Sequence, residues 1–160
     1  MKWLSKKVVI MGPPAAGKSS LIGQFVYQKF SEVYLTTIGL KIDKKSIEVG
    51  DISLDMVLWE VAGQEKMIEN YLRGCEGVIV VMDISRPELF DEIERIWTRL
   101  DVLVPNAKKC LVANKTDLLH PEVLDSHLQQ LSTQPHYLSC AKNGENVETC
   151  FLDLAKLMLS

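Results

Sequence analysis

Gly12-Pro13-Pro14-Ala15-Ala16-Gly17-Lys18-Ser19 is the stretch on which the reading of this chain turns. It fits G-x-x-x-x-G-K-[ST] and lies between a short apolar run, Lys7 to Met11, and the start of a helical pattern. A strand, a glycine-bearing loop and a helix N-terminus in that order make an anion site, because backbone N–H groups and the positive end of the helix dipole converge on one point. On this reading Gly12, Pro14, Ala15, Ala16 and Gly17 form a phosphate cradle, with Lys18, Ser19 and Ser20 at the head of the helix. Lys18 neutralises the β- and γ-phosphates, Ser19 offers an oxygen to Mg²⁺, and Gly17 lets the backbone approach closely. Pro13 and Pro14 each remove an N–H donor and stiffen the loop.

Outward from this loop the chain alternates between strand and helix. Gly77 to Met82 and Cys110 to Ala113 are apolar runs too short for buried helices, and Pro135 to Leu138 is a weaker strand. Leu89, Ile93, Ile96, Trp97, Leu100, Leu103 and Val104 share one helix face, with Ser85 and Glu88 as a capping box and Pro105 as the stop. Val147, Phe151, Leu154 and Met158 repeat the pattern behind Asn146, a candidate cap. Leu40 to Val49 and Ile52 to Trp59 are extended runs joined at Gly50-Asp51, a hairpin turn pair. The expectation is an α/β fold with a mostly parallel sheet and one antiparallel pair, in a single domain over residues 1–160.

Composition narrows the function. With 47% apolar and 24% charged residues the chain has the make-up of an ordinary globular domain, and a net charge of −3 argues against nucleic acid as a partner. Cys75, Cys110, Cys140 and Cys150 show no C-x-x-C spacing, so reduced thiols in a cytoplasmic setting are expected. No apolar run is long enough to span a bilayer. Ser160 stands where a prenylated Cys would be, so any peripheral membrane attachment is expected to come from a partner or from further residues.

A phosphate loop alone leaves kinases, ATPases and GTPases open. Asn114-Lys115-Thr116-Asp117, after the strand Cys110 to Ala113, matches N-K-x-D. The Asp117 carboxylate can accept from guanine N1–H and the 2-amino group, whereas adenine presents the opposite polarity. Leu118 follows it, and Ser139-Cys140-Ala141-Lys142 is similar to the S-A-K element that supports the base, with Cys140 where Ser is usual. With these three motifs in this order the chain resembles the Ras-like small GTPases over nearly its whole length, and its phrasing is nearest to the Rab family. The resemblance implies a P-loop G domain with a six-stranded, mostly parallel sheet, one antiparallel edge strand and helices on both faces.

It also implies roles. Thr36-Thr37-Ile38-Gly39 is similar to the Rab switch I, which makes Thr37 a ligand of Mg²⁺ and the γ-phosphate, and Tyr34 the switch I tyrosine. Phe30 is either the aromatic that covers the guanine or a core residue. Glu60-Val61-Ala62-Gly63-Gln64-Glu65 occupies the D-x-x-G-Q-E position, so Gly63 would donate to the γ-phosphate, Gln64 would orient the attacking water, and Lys18 and Gln64 are the catalytic pair. Ser19, Thr37 and Glu60 form the expected Mg²⁺ set. Ile38, Ile42, Trp59 and Tyr71 fall where Rab proteins carry an effector surface, although Trp59 could equally face the core.

Three departures stand out: Glu60 replaces Asp, Pro14 replaces a common Gly, and the run from Gln64 to Tyr71 is shorter than in typical members. The expected function is a monomeric, slowly hydrolysing GTP/GDP switch that recruits protein effectors and regulators through switch I, the interswitch and switch II. The alternative is a hydrolysis-poor nucleotide-binding scaffold. A small-molecule kinase would leave N-K-x-D, Gly63 and Gln64 without a job.

Overall fold

Val8, Val9, Ile10 and Met11 are apolar in unbroken succession because the strand that holds them is buried on both faces. The computed structural model describes residues 1–31, 39–62 and 68–160. In chain order the elements are β1 (Lys2–Met11), α1 (Lys18–Tyr27), β2 (Leu40–Val49), β3 (Ile52–Val61), α2 (Ile68–Leu72) and β4 (Gly77–Asp83). There follow α3 (Phe90–Leu103), β5 (Lys108–Asn114), α4 (Pro121–Gln129), β6 (Tyr137–Leu138) and α5 (Val147–Leu159).

Six strands form one sheet in the order β2-β3-β1-β4-β5-β6. Only β2 runs antiparallel to its neighbour, at the edge, and the other pairs are parallel. Val8 and Ile10 face α1 and α5 in one core, with Leu54, Met56 and Leu58 of β3. Val9 and Met11 face α2 and α3 in the other, with Val78 and Val80 of β4. This is the six-stranded, mostly parallel sheet with one antiparallel edge strand that the resemblance implies. Parallel strands put the ends of β1, β4, β5 and β6 on the same edge, at the point where neighbours of β1 diverge to either side, and α/β sheets place ligands there.

Several boundaries differ from the sequence reading. β1 begins at Lys2 rather than Lys7, because its early residues are half-exposed and give no continuous apolar signal. β6 is confined to Tyr137–Leu138. The capping box does not form: the Ser85 N–H and hydroxyl both donate to Asp83 Oδ1, at 2.9 and 2.5 Å, and a 3₁₀ turn at Pro87–Leu89 leads into α3. Asn146 does not cap α5 with its side chain either, since it sits in the left-handed region (φ 59°) and donates Nδ2 to the Leu138 carbonyl at 2.8 Å.

Phe25 of α1 and Phe151 of α5 stack with centroids 4.1 Å apart and planes 1° from parallel. Phe151 is fully buried. Phe151→Leu should remove about 1.5–2.5 kcal/mol by losing both ring volume and the stack. Urea unfolding checks this, and an unchanged midpoint would mean that the core repacks around the smaller side chain. Cys110 and Cys150 meet in the same core at Sγ–Sγ 3.6 Å, and all four cysteines are free thiols. Among the described residues no helix is long and apolar enough to cross a membrane.

Candidate functional site

The loop leaving β1 turns at Gly12, where an added Cβ would lie 2.2 Å from the Val81 carbonyl oxygen of β4. The Ala16 N–H donates to the Pro13 carbonyl at 3.2 Å, and Ala15 adopts φ 63°, so the chain curls on itself before entering α1. Lys18 is 6% exposed and folds back over this curl, donating to the Gly12 and Pro13 carbonyls at 2.7 and 2.9 Å. Burial pulls its pKa below the ordinary lysine value, while the Glu60 carboxylate opposes that shift. Gly17 opens α1 at φ 102°, and the first turn itself carries neither a side-chain cap nor an acidic residue, which leaves its backbone N–H groups for an anion.

The end of β5 locks onto this loop. Asn114 is 1% exposed; its Nδ2 donates to the Ala16 carbonyl at 3.2 Å, while Oδ1 accepts from the Ser139 hydroxyl at 3.1 Å and the Ala141 N–H at 3.2 Å. A Cβ on Gly17 would stand 2.2 Å from Asn114 Nδ2, so the glycine is required by the packing of this bracket as well as by its φ. Lys115, left-handed at φ 67°, sends Nζ to the Ala15 carbonyl at 2.6 Å and to Asp83 Oδ2 at 3.4 Å. The Thr116 hydroxyl donates to the Ser139 carbonyl at 3.2 Å. Burial raises the Cys140 thiol pKa, and a hydrogen bond to Asp117 raises it further.

Between these loops lies a cleft of about 370 Å³, lined by Ala15, Gly17, Ser20 and Phe30 on one side and by Asn114, Lys115, Asp117, Leu118, Ala141 and Lys142 on the other. The structure therefore unites the phosphate-loop and base-loop residues in one site. Phe30 is partly exposed at the rim rather than buried in the core. Gly12, Pro14, Ala16, Lys18 and Ser19 continue the site beyond the cleft along the loop, and Ser139 and Cys140 support it from beneath.

The Ser19 hydroxyl donates to Glu60 Oε2, so two of the three expected Mg²⁺ ligands are in contact. A hydroxyl and a carboxylate are the hard oxygen donors Mg²⁺ prefers, and the one-methylene extension of Glu60 does not separate it from Ser19. Tyr34, Thr37, Ile38, Gly63 and Gln64 lie outside the described residues.

Ile42 and Trp59 are direct cross-strand partners, with Ile42 51% exposed. Trp59 and Tyr71 both pack partly against the second core, and the Lys7 ammonium sits 3.7 Å above the Trp59 ring. Trp59 thus packs against the core while standing across the strands from the exposed Ile42.

Sequence reasoning missed Asp83, Ser31 and Gln24. Asp83 was detectable in principle, as a carboxylate at the ligand-bearing end of an apolar strand. Ser31 lines the cleft without a motif, and Gln24 reaches the Ala141 carbonyl at 2.8 Å from far along the chain.

The Ras family model matches residues 7–160. Ras-related protein Rab-1D of Dictyostelium discoideum is 30% identical over 158 residues, covering 94% of this chain and 78% of that protein. Ras-related protein Rab-1 of Theileria parva is 30% identical over 162 residues, covering 95% of this chain and 73% of its own length, and Rab-1 of Theileria annulata matches to the same extent.

Proposed function

The chain belongs to the Ras family, small GTP-binding switch proteins that hydrolyse GTP, and from that premise we propose that its cleft holds GTP or GDP with Mg²⁺ and turns GTP over slowly as a signalling or trafficking switch. The observation that carries this reading is the Asn114 bracket. One buried side chain ties the phosphate loop, through Ala16, to the base loop, through Ser139 and Ala141, with Asp117 at the cleft between them.

In this reading Asp117 selects guanine, Phe30 and Leu118 flank the base, and Lys18 exchanges its loop carbonyls for phosphate oxygens. Mg²⁺, held by Ser19, Glu60 and Thr37, supplies charge neutralisation at the phosphates. Thr37 and Gly63 hold the switches against the γ-phosphate, and Gln64 orients the water. Hydrolysis is then mostly positioning and electrostatics. Ile38, Ile42, Trp59 and Tyr71 form the face for effectors and regulators of a single-domain, monomeric, cytoplasmic protein that reaches membranes through partners or through further residues.

The test incubates the protein with GTP and Mg²⁺ and follows bound nucleotide by chromatography for several hours, with Gln64→Leu alongside. Wild type is expected to convert GTP at a rate on the order of 10⁻⁴ s⁻¹, as small GTPases do unaided, and Gln64→Leu to stop conversion. GTP that stays intact in both would favour a hydrolysis-poor scaffold, the reading motivated by Glu60, Pro14 and the short switch II.

A further inference from the structure

We propose that Gln24 of α1 is a positioning residue for the guanine base, acting through the Ala141–Lys142 peptide. The proposal rests on the guanine-nucleotide reading of the cleft. Gln24 does not line that cleft. Its Nε2 donates to the Ala141 carbonyl at 2.8 Å, and its side-chain amide lies 3.7 Å from where a Cβ on Gly144 would stand, so it is seated behind the base loop.

No peptide among the described residues is cis. In a trans peptide the carbonyl and the following N–H point in opposite directions. With the Ala141 carbonyl held toward α1, the Lys142 N–H is turned the other way, and it meets the Cys140 thiol, which in turn contacts Asp117. The Ala141 N–H is separately anchored on Asn114 Oδ1 at 3.2 Å. Gln24 and Asn114 therefore clamp the two consecutive peptides of the base loop, one from α1 and one from β5.

A consequence is coupling between the two ends of the nucleotide. α1 begins with Lys18 and Ser19, the phosphate and metal residues, and carries Gln24 further along the same rigid helix. If Asp117 takes N1–H and the 2-amino group, the neighbouring 6-oxygen of guanine falls to the Lys142 N–H, whose aim Gln24 sets through the shared peptide. Losing its hydrogen bond frees that peptide to rotate, and the nucleotide leaves sooner.

The experiment measures release of GDP, GTP and 6-thioguanosine diphosphate from wild type, Gln24→Met and Gln24→Glu, alongside thermal stability. Met keeps the length without a donor, and Glu keeps the shape but sets an oxygen against the carbonyl. Both variants are expected to release GDP and GTP roughly three- to tenfold faster than wild type. Acceleration should be smaller for the 6-thio analogue, which retains N1–H and the 2-amino group but offers sulfur, a weak acceptor, at position 6. Release rates equal to wild type would overturn the proposal. So would equal acceleration of all three ligands together with a fall in melting temperature, which is the signature of a helix-to-loop tether with no role at the base. Failure of the wild type to hold any guanine nucleotide is a separate result that would remove the reading beneath it.

Discussion

Gly12→Ala is expected to lose more than about 4 kcal/mol of folding stability, placing it among the exceptional single substitutions. The added methyl would lie 2.2 Å from the Val81 carbonyl oxygen and 3.2 Å from its carbon. These are backbone atoms of β4, fully buried and held on one side by β1 and on the other by β5, so they cannot swing aside as the tip of a flexible side chain would. The φ of 151° at Gly12 adds backbone strain for any L-residue. Against a total stability of roughly 5–15 kcal/mol, this takes most of the margin. Nucleotide affinity should fall as well, since the Gly12 carbonyl is one of the two that position Lys18. Urea titration of wild type and variant gives the answer. A difference under about 1 kcal/mol would mean that the loop can separate from β4 without disturbing the sheet.

Asp117→Asn should reverse the choice of base. A carboxylate only accepts, and guanine presents two neighbouring donors, N1–H and the 2-amino group. The amide of Asn offers one acceptor and one donor, which suits xanthine, where position 2 is a carbonyl. Guanine would then face an N–H group with its own N–H₂. Two charge-assisted hydrogen bonds at about 1.5–3 kcal/mol each correspond to a loss of roughly 10²–10⁴-fold in affinity for GDP. Asp117 is exposed on the cleft, and the Cys140 thiol beside it can hydrogen-bond to an amide as well, so the fold should tolerate the change. Competition between GDP and xanthosine diphosphate measures the ratio. A variant that still prefers guanine would show that another group reads the base.

The legible and the hidden parts of this site divide by the distance over which a signal acts along the chain. The phosphate loop was readable because its cradle is made by consecutive backbone groups, and Gly12, Gly17, Lys18 and Ser19 are needed at fixed local offsets. Asn114 to Asp117 and Ser139 to Lys142 were readable for the same reason, and β4, β5 and the β2–β3 hairpin through their apolar runs and turn residues. Asn114, expected at the nucleotide, proves to spend its side chain on Ala16, Ser139 and Ala141, which no local pattern discloses.

Ser85 and Asn146 show how local signals are overruled. Each is a good cap by residue type, yet the Asp83 carboxylate and the Leu138 carbonyl lie close enough in the fold to take their hydrogen bonds instead. Alone, then, the sequence determined the strand–loop–helix that builds the phosphate cradle, the order of the motifs, and the alternation that makes the sheet parallel. The tertiary structure decided which side chains brace that cradle: Asp83 on Lys115, Gln24 on Ala141, Asn114 across both loops. Motifs of contiguous residues carry their geometry with them, whereas a hydrogen bond between α1 and a loop far along the chain exists only once the sheet has brought its two ends together.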